Sequence, residues 1–148
     1  MMRTTIFAFC MIVMGCSGKA QSANAIVNHK WILVSAKTAE PTDLNNRGSK
    51  STDLFAQYPP CSTDDIYHFK EKGVFVSDEN KDICQLPATH TGSWKISGKD
   101  SITINFGVQD IIMTFKISSV SNTDMKLITR QKLKASEADV IYTFKRLD

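Results

Sequence analysis

The feature that most limits what this chain can fold into is the shortness of the links between its apolar stretches. Ser97-Gly98-Lys99-Asp100, Gly107-Val108-Gln109-Asp110, Ser121-Asn122-Thr123-Asp124 and Lys134-Ala135-Ser136-Glu137 separate segments in which apolar residues recur at every second position. Period two is the signature of strands with one buried face. Links this short join antiparallel neighbours, because a parallel pair needs a crossover of a dozen or more residues. Strands are expected at Trp31–Val34, Ile66–Phe69, Val74–Val76, Gly92–Ile96, Ser101–Phe106, Ile111–Ser118, Met125–Gln131 and Val140–Lys145, eight in all. Glu71-Lys72-Gly73 turns the second into the third as a hairpin. The irregular segment from Ala39 to Pro60 is rich in Asn, Asp, Ser, Gly and Pro, and is expected as one long loop with a short helix at Thr52–Ala56. The fold class is therefore all-β.

Eight antiparallel strands in chain order close readily into a barrel, which removes the exposed edges of an open sheet. Strand parity turns inward Trp31, Leu33, Tyr67, Phe69, Phe75, Trp94, Ile96, Ile102, Ile104, Phe106, Met113, Phe115, Met125, Leu127, Tyr142 and Phe144. A barrel of this size either fills with such side chains or holds one small ligand, and the two outcomes look alike in sequence. If a ligand is held, the residues expected to contact it are Trp31, Tyr67, Phe69, Phe75, Trp94, Phe106, Met113, Phe115, Met125 and Tyr142.

The chain opens with a single early charge, Arg3, followed by the apolar run Thr4–Met14 and then Gly15-Cys16. That run is too short to span a bilayer, which takes roughly 20 apolar residues, and its order is that of an export signal. Val13-Met14-Gly15-Cys16 resembles the lipobox of bacterial lipoproteins, so residues 1–15 are expected to be a signal peptide and Cys16 the site of lipidation. The alternative is an ordinary secretory signal cut after Ala23-Asn24-Ala25. Residues 16–28 then read as a lipidated tether and residues 29–148 as one domain, since about 130 residues make one ordinary domain.

Cys10 leaves with the signal and Cys16 takes the lipid, which leaves Cys61 and Cys84 to pair in an oxidising compartment. The resulting loop of 24 residues would contribute about 3 kcal/mol by chain entropy. A net charge of +3 on interspersed basic and acidic residues excludes the one-signed patch that nucleic acid requires.

Several of these segments together resemble a family. The opening strand Lys30-Trp31-Ile32-Leu33, the segment Cys61-Ser62-Thr63-Asp64-Asp65 leading to Phe69 and Gly73, then Cys84 and Gly92-Ser93-Trp94, are similar to the lipocalin-like domain lipoproteins of the Bacteroidetes. The resemblance spans roughly Lys30 to Phe144. It implies an eight-stranded barrel, a lipid anchor and a disulfide, and it names no ligand.

Other constellations have plainer readings. Asp78-Glu79-Asn80-Lys81-Asp82 has the spacing that begins a calcium loop, but Ile83 and Thr89 stand where glycine and a bidentate glutamate belong, so a solvated hairpin tip is expected. His29, His68 and His90 show no metal or catalytic spacing, and Asp64 and Asp65 are expected to cap a turn. No catalytic residue, metal or cofactor is expected. The expected function is a non-catalytic envelope binding module for a small apolar or amphipathic ligand, anchored to the outer membrane and facing the periplasm. The competing expectation is a protein partner, an envelope enzyme or complex engaged through the 39–60 loop, with Phe55 and Tyr58 as anchors unless they fold back to plug the barrel mouth.

Overall fold

Among the described residues nine antiparallel strands follow one another: β1 (His29–Thr42), β2 (Ser51–Asp53), β3 (Ile66–Phe69), β4 (Val74–Asp78), β5 (Thr89–Ser97), β6 (Ser101–Asn105), β7 (Ile112–Val120), β8 (Asp124–Lys132) and β9 (Glu137–Arg146). The computed structural model describes residues 23–43, 48, 50–79, 88–109, 111–133 and 137–148. The signal segment, Cys16, Cys84 and most of the Asp78–Asp82 stretch lie outside the described residues. From β3 to β9 each strand pairs with the next, and β1 pairs with both β3 and β9, so eight strands close into a barrel. The small strand β2 adds to β1 beyond the point where β3 ends.

The long first strand corrects the expected loop. Residues 39–42 continue β1 instead of leaving the sheet. Between Leu33 and Ser35 the register against β9 shifts by a bulge, which moves the buried row from Trp31 and Leu33 onto Ala36 and Thr38. These two side chains are small or polar, so the row past the bulge carries no apolar alternation that a sequence reading detects. The expected helix at Thr52–Ala56 is divided: Ser51–Asp53 is strand and Phe55–Gln57 is a single 3-10 turn, whose Ala56 amide donates to Asp53 Oδ1 at 3.1 Å. Cys61 lies in a second 3-10 turn, Pro60–Ser62, and is disulfide-bonded.

Packing also reaches upstream of the strands. Residues 23–26 form a helical turn beneath the barrel, with Ile26 fully buried and the Asn28 backbone N–H donating to the Phe69 carbonyl at 2.6 Å. The part of the expected tether from Ala23 onward thus belongs to the folded body. Trp31 donates its indole N–H to the Ile26 carbonyl (3.3 Å) and Trp94 donates its own to the Lys70 carbonyl (2.9 Å), so both tryptophans are fixed at this end. Gly92, two residues before Trp94, has no alternative. A Cβ there would lie 1.9 Å from the Asn105 carbonyl oxygen.

On the outer face Lys30, Lys37, Lys95, Lys116, Lys126 and Lys145 are all exposed. A membrane-spanning barrel turns an apolar band outward; this barrel turns lysines outward and its apolar residues in.

Candidate ligand-binding cavity

The interior is layered along the barrel axis. At the end where β1 begins, Ile26, Trp31, Phe69, Trp94, Ile102 and Met125 are buried and fill the lumen. Phe69 and Trp94 meet edge to face at 5.5 Å, and Phe69 meets Phe75 in the same way at 5.2 Å. Above them the packing opens into a cavity of about 180 Å³ walled by Leu33, Tyr67, Phe69, Phe75, Ile104, Phe106, Met113, Phe115, Leu127, Tyr142 and Phe144. The aromatic rings brace one another across it: Tyr67 on Phe75 and Phe144, Phe75 on Phe106, and Phe115 on Tyr142, all at 5.4–6.0 Å. Ring-to-ring contacts leave these side chains little freedom to collapse inward, so the void persists.

Seven of the ten expected ligand contacts, Tyr67, Phe69, Phe75, Phe106, Met113, Phe115 and Tyr142, line this cavity. Trp31, Trp94 and Met125 do not line it. They face inward as parity requires, but lower down, where they fill the closed end. Four walls come from inward residues outside that group of ten: Leu33, Ile104, Leu127 and Phe144.

Three further lining residues, Tyr58, Ser62 and Asp65, come from the segment between β2 and β3. Leu54, Phe55 and Tyr58 pack against the core, so this segment folds back across the mouth. The Tyr58 hydroxyl donates to the Tyr142 hydroxyl at 3.4 Å, and burial raises the pKa of both phenols. Of the two roles open to Phe55 and Tyr58, the structure places them over the barrel and not on an outward-facing surface.

A polar rim lies above the aromatic layer. A cleft of about 390 Å³ shares Ser62, Asp65, Tyr67, Phe106 and Met113 with the cavity and adds Ser77, Glu79 and His90. Ser77 stands opposite Tyr67 on one side and His90 on the other, so Tyr67, Ser77 and His90 share the inner face of β3, β4 and β5. Glu79 accepts from the Ala88 amide at 3.2 Å and stands 3.5 Å from His90 Nε2. Both Asp64 oxygens and Oδ1 of Asp65 are buried without a hydrogen-bond partner among the described residues. Burial first, then the charges of Glu79 and Asp64, push the Asp65 carboxyl up to about 6, against a weak bond from the Tyr67 hydroxyl at 3.5 Å.

The rim corrects one expectation. Asp64 and Asp65 do not cap the turn, because neither oxygen of Asp64 nor Oδ1 of Asp65 meets a donor among the described residues, and Oδ2 of Asp65 takes the Tyr67 hydroxyl. Ser77, Glu79, His90 and Asp65 gather at the top of the interior. No hydrogen bond among the described residues joins Ser77 to His90, so the contact of nucleophile with base that acyl transfer uses is not made. No group of three or more metal-ligating side chains occurs among the described residues. A larger groove of about 490 Å³ lies outside the barrel and is bordered by charged Glu40, Lys50, Arg130, Glu137 and Asp139.

A layered, closed, eight-stranded barrel with an internal cavity defines a narrow set of families, and residues 27–127 match the lipocalin-like domain. The chain belongs to the lipocalin-like family. The match begins at Val27, below the barrel floor, and ends at Leu127 within β8, so every wall of the cavity except Tyr142 and Phe144 lies within it. No curated protein matches the chain.

Proposed function

We propose that this lipocalin-like protein is a lipid-anchored envelope lipoprotein whose barrel binds one small apolar or amphipathic molecule without transforming it. The observation that carries the reading is the aromatic cavity of about 180 Å³, open to a polar rim, in a fold whose members serve in general as binding domains. An apolar void of about 150 Å³ holds a benzene-sized guest, so the ligand portion inside is a single ring or a short chain. The lipobox-like Gly15-Cys16 supports the anchor, and attachment at Cys16 leaves six residues between the lipid and the helical turn under the barrel floor. On this reading the closed end faces the membrane, the mouth faces away from it, and the outer membrane's periplasmic leaflet is the site. We further propose Cys84 as the partner of Cys61, stapling the mouth segment to the chain beyond β4.

Titration of isotopically labelled protein with a neutral single-ring compound such as 2-phenylethanol tests the reading. Shifts concentrated at Phe75, Phe106, Phe115 and Tyr142 are expected; shifts confined to the outer face, or none at millimolar ligand, would remove it. The anchor is tested separately, by mass spectrometry of the mature chain, where an unmodified start near Ile26 instead of a diacylglyceryl Cys16 overturns it.

A further inference from the structure

The rim above the cavity is chemically one-sided. Glu79 is committed to the Ala88 amide and to His90, whereas Asp65 borders both the cavity and the cleft and keeps Oδ1 buried with no partner among the described residues. A buried, unpaired carboxylate oxygen is costly unless a donor reaches it. The groups that face Asp65 make the demand specific. Glu79 beyond β4 and Asp64 beside it repel its charge, His90 on β5 favours it weakly, and Tyr67 on β3 offers one long hydrogen bond. A neutral donor would satisfy geometry alone, while a cation satisfies geometry and offsets three carboxylates together.

We propose that the ligand of this cavity is a small amphipathic amine, its ring or short chain among Phe75, Phe106 and Phe115 and its protonated nitrogen donating to Asp65. The inference rests on the reading of the barrel as a binding module and adds the headgroup to it. At pH 8 Asp65, whose carboxyl titrates near 6, is ionised, and a primary amine is still protonated. The preference for an amine therefore holds at pH 8 and fades as the pH falls below about 6.

Calorimetric titration of the full-length protein at pH 8 with 2-phenylethylamine, 2-phenylethanol and 3-phenylpropionate separates headgroup from tail. The amine is expected to bind about tenfold or more tightly than the alcohol, as a charge-assisted bond requires, with the carboxylate weakest. Asp65→Asn should remove the amine's preference over the alcohol. An amine no tighter than the alcohol, or a preference that survives in Asp65→Asn, overturns the headgroup assignment and leaves the binding module intact. If none of the three compounds binds, the cavity reading fails and this inference fails with it.

Discussion

The two ends of the barrel are made of the same residue classes and behave differently. At the floor, Trp31 and Trp94 anchor their indoles to backbone carbonyls, Ile26 enters from the helical turn below, and the buried side chains pack together in the lumen. Halfway up, Phe75, Phe106, Phe115 and Tyr142 are just as aromatic but lean on one another across a gap. What separates a core from a binding cavity here is the source of the filling side chains. The floor receives one from outside the barrel, and the cavity is roofed by Tyr58, which bonds the rim hydroxyl of Tyr142 instead of entering.

The largest expected effect sharpens that contrast at the floor. Trp31→Ala removes a fully buried indole and its hydrogen bond to Ile26, and should cost about 3–5 kcal/mol by urea denaturation, close to the limit of what a small domain survives. A loss under about 1 kcal/mol would mean that the floor is loosely filled and that the two ends are not distinct.

Enlarging a side chain should have opposite signs at the two levels. Ile102→Phe at the floor inserts volume where none is free and is expected to destabilise by about 1–3 kcal/mol. Leu127→Phe projects into the cavity and should be neutral or gain up to about 1 kcal/mol, while abolishing the response to 2-phenylethanol. Equal destabilisation by both would show the cavity to be closed in solution.

The contrast was only half legible in the sequence. Alternation separates inside from outside, and it placed Tyr67, Phe75, Phe106, Phe115 and Tyr142 correctly because bulky apolar residues at every second position admit one orientation. It carries no information on height along the axis. Trp31, Trp94 and Met125 obey the same parity and were expected against a ligand, yet they lie in the floor. Height is set by strand register, and register depends on bulges such as the one between Leu33 and Ser35, which small residues conceal. The acidic rim was illegible for another reason. A pair of aspartates before a strand reads as a turn cap, and only the three-dimensional course of the chain shows Asp64 without a donor among the described residues and Asp65 at the cavity mouth.

A smaller effect concerns the rim itself. The Asp65 carboxyl titrates near 6 when folded and near 3.8 when unfolded, so between those values the folded protein binds more protons and stability falls as pH rises. Asp65→Asn should remove that slope. The variant is expected to be more stable than wild type above pH 6, by on the order of 1 kcal/mol after allowing for solvent screening of a half-exposed group, and to lose the advantage below pH 4. Thermal unfolding across pH 3.5 to 8 reads the difference. A constant offset at all pH values would place the effect in packing and not in the charge.

The smallest effect tests the roof. Tyr58→Phe removes the donor of the 3.4 Å bond to Tyr142 but keeps the ring that packs on Phe55 at 6.0 Å. A single neutral hydrogen bond is worth about 0.5–1.5 kcal/mol net, and at this length the lower figure applies. Equilibrium stability should therefore change little, whereas the ligand's off-rate should rise, because the bond ties the mouth segment to β9 across the path that a guest takes. Tyr142→Phe breaks the same bond from the other side and also removes the hydroxyl's bond with Gln131, so the double variant should exchange ligand no faster than Tyr142→Phe alone. If the two substitutions add in the off-rate, measured by stopped-flow displacement, the hydroxyl pair does not act as a latch and the mouth is held by the Phe55 and Tyr58 ring contacts alone.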